Sequence, residues 1–399
     1  MNSAAAPSRI LVRGVNWLGD AVMTTPALQR LRERFPKAHI TLLTHQKLAD
    51  LWPHHPSLDR VLTLAPGEKP WTLARRLRAE NFDLALVLPN SPRSALEIWL
   101  ARIPRRLGLA RPWRNWLLTH PVPPRPGHLE MHKRSDSEIQ HATRNTQHAA
   151  LRVSHFTFQG PTLTHHIHSY LHLTAALGAN SDPLPPLLTV TPDELQATAS
   201  KFGLPSSTAP TAPVFALNSG AEYGPAKRWP IDRFIEAALQ IQKQTNCTWL
   251  ILGGASDLPL ATQIHSALLA TPKQSEGRVA ASQTEHCALC TLHSALLLAG
   301  RTSLRELMAL LKLSRVLLTN DTGPMHVAGA LGIPVVVPFG STSPELTAPG
   351  LPGDPRHHIL TASAPCSPCF RRSCPIDFRC MTSIPVSSVI DAVLQSTQS

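Results

Sequence analysis

Residues 320–326 (NDTGPMH) join an apolar run at 315–318 to a helix of small residues at 327–331. This pattern is typical of a β-strand that runs into an α-helix through a polar turn containing glycine. Such a turn aims free backbone N–H groups, together with the positive end of the helix dipole, at a bound phosphate or sugar hydroxyl. Asp321 adds an acceptor and His326 a titratable imidazole. The same Asp-Thr pair is also typical of a helix N-cap, so both interpretations stand at this point.

Length and hydropathy indicate a water-soluble chain with two domains. The chain has 399 residues, a hydrophobic share of 43% and a mean hydropathy of −0.06. No apolar run approaches the ~18 residues that a membrane-spanning helix needs. The first residues, MNSAAAPSR, lack the charged and apolar regions of a signal peptide and lead directly into a predicted strand. We therefore expect a cytoplasmic protein.

The charge balance favours anionic partners. Lys and Arg number 38 against 26 Asp and Glu, which gives a formal net charge of +12 and a pI near 9.9. Phosphates, anionic lipids and nucleic acids all fit this balance, as does a merely soluble basic surface. No zinc-finger spacing, aromatic RNA-binding signature or basic zipper is present, so we expect no nucleic-acid partner.

The first half of the chain alternates strands and helices. A strand at 9–13 is followed by a loop at 14–20, a helix that starts near Thr24 or Thr25, and a strand at 40–43. Further units follow at 61–64, 70–80 and 84–88. Strand-loop-helix-strand units build a parallel, doubly wound sheet whose loops meet at the carboxyl edge. Asp20 lies at that edge, where it is either a catalytic carboxylate or a helix-start residue favoured by the dipole.

The second half repeats the alternation and carries a cationic loop. Residues 214–217 form an apolar strand, and the loop after it, 218–230, reads NSGAEYGPAKRWP before a helix at 231–244. Lys227 and Arg228 next to a helix N-terminus are poorly placed for the dipole, which repels cations there. Residues that break a local rule are often functional, so this loop predicts an anion site.

These elements suggest the following division. We expect an N-terminal domain at 1–180 with a flexible His-rich insertion at about 127–166, a linker at 181–213, a C-terminal domain at 214–383, and a final helix at 384–399 that returns to the first domain. Within the first domain, residues 105–126 are rich in Arg, Trp and Pro. Such a stretch either sits at a lipid headgroup surface or packs its tryptophans inward.

Four of the seven cysteines are close together, at Cys366, Cys369, Cys374 and Cys380. In a reducing cytoplasm such a group suggests a structural zinc site more readily than disulfides. The spacing is not one of the established zinc patterns, so free thiols remain the alternative.

Four stretches, taken together and in order, resemble the lipopolysaccharide heptosyltransferases of glycosyltransferase family nine. They are residues 19–28 (GDAVMTTPAL), 87–91 (VLPNS), 220–230 and 320–326. The loop at 220–230 is the most type-specific and points to the heptosyltransferase II type. The His-rich insertion and residues 271–298 depart from the family pattern.

The resemblance implies the α/β GT-B fold, with two Rossmann-like domains facing across a cleft. It also implies transfer of heptose from ADP-L-glycero-D-manno-heptose to the first heptose of a Kdo-lipid A inner core, with inversion and without a cofactor, at the cytoplasmic face of the inner membrane. In this scheme Asp20 is the general base, Lys227 binds the diphosphate, and Asp321 holds heptose hydroxyls. The donor-binding residues implied are Ser219, Glu222, Lys227, Arg228, Asp321, Thr322, Gly323 and His326. Alternatives are another heptosyltransferase type, a sugar-nucleotide epimerase of the same fold, and a non-enzymatic protein that binds anions or lipids.

Overall fold

Two parallel sheets organise the chain. The computed structural model describes residues 6–129, 131–144, 151–158, 163–204, 212–270 and 295–398. Residues 271–294, most of the segment that departs from the family pattern, lie outside that range. The first sheet has the order β3-β2-β1-β4-β5-β6, with every pairing parallel. Its strands are β1 (Arg9–Arg13), β2 (His39–His45), β3 (Arg60–Leu64), β4 (Leu84–Val87), β5 (Arg105–Leu109) and β6 (His120–Val122).

Helices cover both faces of the first sheet, as a parallel sheet requires. The strands are short apolar runs; β4, for example, is buried along its whole length. Burying both faces of such strands supplies the main favourable term in folding. The helices of this half and of the connection to the second are α1 (Leu18–Met23), α2 (Thr25–Arg34), α3 (Pro70–Ala79), α4 (Pro92–Leu100), α5 (Asp136–Thr143), α6 (Ile167–Ala175) and α7 (Pro192–Phe202).

The second sheet has the order β10-β9-β8-β11-β12-β13-β7 and is parallel except for its edge strand β7. Its strands are β7 (Val153–His155), β8 (Val214–Asn218), β9 (Thr248–Leu252), β10 (Ala295–Leu297), β11 (Leu317–Thr319), β12 (Val335–Phe339) and β13 (His358–Ala362). Its helices are α8 (Ile231–Thr245), α9 (Leu258–Ala270), α10 (Leu304–Leu313), α11 (Gly323–Ala330), α12 (Pro344–Thr347), α13 (Arg379–Thr382) and α14 (Val386–Ser396). Two doubly wound sheets confirm the predicted α/β, GT-B architecture.

The His-rich segment is built into the fold, which corrects the expectation of a flexible insertion. Strand β7 pairs with β13 of the second sheet, so that His155 faces Leu360, and Ile139 of α5 lies in the second domain's core. Within the same segment His165 is fully buried and its Nε2 lies 3.1 Å from the carbonyl oxygen of Ala348. Residues 130, 145–150 and 159–162 of the segment lie outside the described range.

Two further expectations need correction. The final helix α14 packs against α8 and strand β12 of the second domain and does not return to the first, because Val389, Ile390 and Val393 fill the second core. In addition, residues 18–23 form helix α1 where the sequence predicted a loop up to Asp20. Asp20 therefore occupies the first turn of a short helix.

Candidate functional site

The carboxyl edges of the two sheets enclose a cavity of about 550 Å³ between the domains. Its walls come from α1 of the first half and from the start of α11 and the 220–230 loop of the second. The cavity contains seven of the predicted site residues, namely Asp20, Glu222, Lys227, Asp321, Thr322, Gly323 and His326. The structure thus brings together residues that are up to about 300 positions apart in sequence.

A charge-assisted network sets the position of Asp321. The Lys227 ammonium donates to its Oδ2 at 2.5 Å, and the Thr342 hydroxyl donates to the same oxygen at 2.6 Å. Both charged side chains are nearly buried. An isolated buried charge would be strongly destabilising, whereas this pair offsets much of the desolvation of each partner. The pair therefore holds a cation at the wall of the cavity.

Asn320 fixes the cationic loop to the 320–326 turn. Its Oδ1 accepts a hydrogen bond from the backbone N–H of Trp229 at 2.9 Å, and its Nδ2 donates to the carbonyl of Ser219 at 2.8 Å. The Asn320 side chain is fully buried, so these bonds satisfy groups that would otherwise be costly to leave unpaired. The two stretches that the sequence singled out in the second domain thus form one rigid unit.

Two glycines let α1 and α11 approach each other across the domain boundary. A Cβ atom built on Gly19 would lie 2.6 Å from Cδ2 of His326, and one built on Gly323 would lie 2.8 Å from Cδ2 of Leu18. Real Cβ atoms do not come that close to other heavy atoms, so a larger residue would push the two helices apart. Gly323 therefore has a packing role that the sequence did not reveal.

Asp20 is a partly buried carboxyl with an unusual pKa. Burial raises its pKa from an ordinary 3.8 to about 6, against the opposing effects of the Tyr170 hydroxyl and the Lys227 charge. Tyr170 is on α6, and its hydroxyl lies 3.5 Å from Oδ1 of Asp20. A carboxyl with a pKa near 6 is ionised at neutral pH and is a stronger base than an exposed aspartate. This environment suits proton transfer better than helix capping.

His326 lies behind the Asp321 turn and is also buried. Burial lowers its pKa to about 4, although the Asp321 carboxylate acts in the opposite direction. The imidazole is therefore neutral at physiological pH. The ring lies in the cavity wall, next to Gly19.

Two of the predicted donor-binding residues do not line the cavity. The Arg228 guanidinium lies 3.9 Å from the Asp257 carboxylate and is not among the residues that line the cavity. The Ser219 side chain is buried, and only its backbone carbonyl takes part in the network, through Asn320. Their positions support a role in shaping the loop, whereas Lys227 faces the cavity directly.

Sequence reasoning missed several lining residues. Lys227 Nζ lies 4.9 Å from the ring centroid of Tyr223, and the Arg372 guanidinium lies 5.3 Å from the same ring. Arg372 belongs to the cysteine-rich stretch, which the sequence associated with metal, and it brings a second cation to the cavity. Lys133 and His166, both from the His-rich segment, line the cavity as well. The two adjacent arginines of residues 370–374 (FRRSC) could have indicated an anion-binding role for Arg372. No sequence feature pointed to Tyr170.

A second cavity, of about 520 Å³, opens from Asp20 into the first domain. It is lined by basic side chains, including Arg111, Arg125 and His128, and by the VLPNS strand end through Asn90 and Ser91. Asp20 therefore lies between a cavity on the Lys227 side and another on the first-domain side. Two reactants, one in each cavity, would meet at this carboxylate.

The four clustered cysteines line one small cavity of about 10 Å³ within the second core. Across the parts of the chain that the structure describes, no group of three or more His, Cys, Asp or Glu is arranged to hold a metal ion. The zinc prediction is thus not supported.

A protein-family model and the curated relatives both point to the heptosyltransferases. The model of glycosyltransferase family 9 (heptosyltransferase) matches residues 131–378. The chain is 29% identical over 354 residues to lipopolysaccharide heptosyltransferase 2 of Escherichia coli K12, covering 86% of this chain and 85% of the relative. It is 26% identical over 348 residues to lipooligosaccharide heptosyltransferase 2 of Haemophilus influenzae Rd, covering 85% of both chains.

Solved structures agree on the fold. The structure of the E. coli ADP-heptose lipopolysaccharide heptosyltransferase II matches with a TM-score of 0.70 at 24% identity, covering 98% of each chain. A glycosyltransferase family 9 protein from Veillonella parvula matches with a TM-score of 0.71 at 20% identity, covering 98% of this chain and 97% of the other. Nearly the whole chain therefore shares its fold with these proteins.

Proposed function

Because the chain belongs to glycosyltransferase family 9, the heptosyltransferases, we propose that it transfers heptose from ADP-L-glycero-D-manno-heptose to the first heptose of a Kdo-lipid A inner core. The relatives named as lipopolysaccharide heptosyltransferases support heptose transfer in lipopolysaccharide core synthesis as the reaction class. In this proposal the donor occupies the interdomain cavity and the acceptor occupies the first-domain cavity.

One observation supports this function above the others: Asp20 and Lys227 come from different domains and line the same cavity. A single-displacement transfer needs a base for the acceptor hydroxyl and a cation for the leaving diphosphate. The Lys227 charge acts on the pKa of Asp20, which shows that the two groups lie within electrostatic reach of each other. A protein that only bound anions would have no use for a buried carboxylate there, since it repels them.

The reaction follows from these positions. The acceptor hydroxyl oxygen attacks the anomeric carbon of the donor while its proton passes to Asp20. The bond between the anomeric carbon and the β-phosphate oxygen breaks, and ADP leaves with the bonding pair. Attack opposite the leaving group inverts the anomeric configuration.

Positive groups of the second domain would stabilise the departing ADP. Lys227 and Arg372 flank Tyr223 at the cavity wall, and the N-terminus of α11 begins at Gly323 in the same wall. Cations and free helix-start amides bind phosphate oxygens strongly. On binding, the diphosphate would contact Lys227, which also donates to Asp321. The other lone pairs of the Asp321 carboxylate could then accept hydrogen bonds from the heptose hydroxyls.

We further propose that the protein works at the cytoplasmic face of the inner membrane. A Kdo-lipid A acceptor carries acyl chains, so a membrane is the natural place to meet it. Among the described residues, no helix is both long and apolar enough to cross a bilayer. Contact with the membrane would then be peripheral.

Incubating the purified protein with ADP-heptose and mono-heptosylated core, then weighing the product, tests the proposal. The expected result is a gain of one heptose residue together with release of ADP. Kdo-lipid A without heptose is the matched control acceptor, and transfer to that acceptor alone would instead support another heptosyltransferase type. A change in the donor sugar without any acceptor product would support an epimerase.

A further inference from the structure

The connection between β5 and β6 exposes tryptophan side chains to solvent. We call residues 110–119 the Arg-Trp crossover. Trp113 is 82% exposed and Trp116 is 67% exposed, and the ring of Trp116 packs edge-on against Trp99, at the end of α4 and 41% exposed, with 5.8 Å between centroids. Large aromatic side chains are rarely left in water without a reason, and clusters of them mark interaction surfaces. The alternative of inward-packed tryptophans is thus wrong for Trp113 and Trp116.

The crossover backbone is held firmly, so the exposure is not a consequence of a loose loop. Arg114 is completely buried and donates to the carbonyl of Pro89 at 2.5 Å. The Asn115 side chain accepts from the backbone N–H of Arg111 at 2.7 Å, and Arg106 donates to the carbonyl of Leu117 at 2.8 Å. These bonds fix a backbone conformation that presents Trp113 and Trp116 outward.

The stretch of sequence that contains these tryptophans carries charges of one sign. From residue 98 to residue 129 the chain contains six arginines and no Asp or Glu. Arg102 is exposed next to Trp99 in sequence, and Arg105 is partly exposed. Arginine and lysine side chains near a bilayer are attracted by the negative potential of anionic lipids, and tryptophan prefers the headgroup region.

The crossover also adjoins the cavity assigned to the acceptor. Leu109, at the end of β5, and Arg111 of the crossover line that cavity, and so do Leu129 and Met131, which are both about half exposed. Exposed apolar side chains are therefore present both in the crossover and at the cavity. A flat lipid surface touching the tryptophans would bring a membrane-held acceptor to the entrance.

We propose that the Arg-Trp crossover, with Trp99 beside it, is the surface by which this protein docks on a bilayer containing anionic lipids. The tryptophan rings enter the headgroup layer while the exposed Arg102 and the partly exposed Arg105 contact its phosphates. The role of the neighbouring cavity in this picture rests on the proposed function, but the docking surface itself does not. A protein partner at the same surface is the competing outcome.

Vesicle co-sedimentation tests the proposal. The protein is mixed with vesicles of phosphatidylcholine alone, or of phosphatidylcholine with phosphatidylglycerol, at low and high salt. We expect binding to the anionic vesicles that weakens at ~1 M salt, because salt screens exposed charges. The double variant Trp113→Ala/Trp116→Ala should bind at least about tenfold more weakly, since it loses most of the apolar area that would enter the headgroup layer.

Trp71→Ala is the matched control. Trp71 is 61% exposed on α3, and its ring lies 5.4 Å from Lys69 Nζ. Unlike the crossover, its stretch of sequence contains an acidic residue, Glu68. Because it lies outside the crossover, this variant should bind like the wild type. Equal binding of the double variant, or an equal loss in Trp71→Ala, would overturn the proposal. So would a change in oligomeric state of the double variant without a change in vesicle binding, which would indicate a protein interface.

Transfer assays separate this proposal from the proposed function. With a water-soluble, lipid-free acceptor the double variant should turn over as the wild type does, because neither tryptophan lines the interdomain cavity or the first-domain cavity. With the acceptor embedded in anionic vesicles, its turnover should fall along with binding. Vesicle binding without any transfer would refute the function alone. Transfer to the soluble acceptor without vesicle binding would refute the docking surface alone.

Discussion

Replacing Asp20 with Asn distinguishes catalysis from helix capping and is expected to have two opposite effects. Asn keeps the size of the side chain but cannot accept a proton, so kcat should fall by ~10² to 10⁴. Stability should rise at the same time. Burial raises the pKa of Asp20 from 3.8 to about 6, which at about 1.4 kcal/mol per pKa unit corresponds to a penalty of about 3 kcal/mol on the ionised form.

The sign of the pH dependence follows from that raised pKa. Above pH 6 the Asp20 carboxyl is ionised in the folded protein at a desolvation cost that the unfolded chain does not bear, so this group destabilises the fold there. As pH falls from about 6 to about 4, the folded state gains a proton before the unfolded state does, and the penalty disappears. Asp20→Asn should therefore raise the melting temperature at pH 7.5 and have a much smaller effect near pH 4.

The assay combines kcat, ADP-heptose affinity and melting temperature on the same preparations. Asp232→Asn is the matched control, because Asp232 is an exposed carboxylate in the first turn of α8. This control should keep wild-type kcat. Donor affinity in Asp20→Asn should be nearly unchanged, since the donor phosphates are assigned to the second domain. A normal kcat in Asp20→Asn would refute the assignment of Asp20 as the base.

The remaining predictions concern binding, positioning and metal. Lys227→Ala should weaken ADP binding by about ten- to a hundredfold, because it removes a charge-assisted contact worth ~1.5–3 kcal/mol. An unchanged ADP affinity, measured by calorimetry, would show that Lys227 does not bind the nucleotide. Tyr170→Phe should move the acid limb of the kcat–pH profile above pH 6, because the tyrosine hydroxyl holds the pKa of Asp20 down; an unmoved limb would contradict this positioning role. Gly323→Ala should lower both kcat and melting temperature, because its Cβ would meet Leu18 at 2.8 Å. Activity should persist in EDTA, since cations and amides supply the positive field; complete loss restored by Mg²⁺ would overturn that expectation.

Much of the fold could be predicted because its strands can be recognised from short apolar stretches of sequence. Strands β1, β4 and β8 are short buried runs followed by polar turns, a pattern that is readable without tertiary information. The same holds for the turn at 320–326. Helix α1 was missed because it has only six residues and begins after Trp17 without a side-chain cap, so no start signal marks it.

The rest depended on contacts between distant residues. Strand β7 has three residues, and only its pairing with β13, about 200 positions later, assigns it to the second sheet. Tyr170 lies in an ordinary helix, and nothing in its neighbourhood indicates that its hydroxyl reaches Asp20. Arg372 was obscured by the cysteines around it, whose spacing suggested metal. Long-range packing decides such positions, and local patterns carry no information about it.

The anomeric configuration of the product is the most direct test of the mechanism. A single displacement with Asp20 as the base inverts the anomeric carbon. The wild-type protein is incubated with ADP-heptose and a water-soluble mono-heptosylated acceptor, and the new glycosidic bond is examined by NMR. We expect one transferred heptose whose anomeric configuration is opposite to that of the donor. A product with the donor's configuration retained would contradict it.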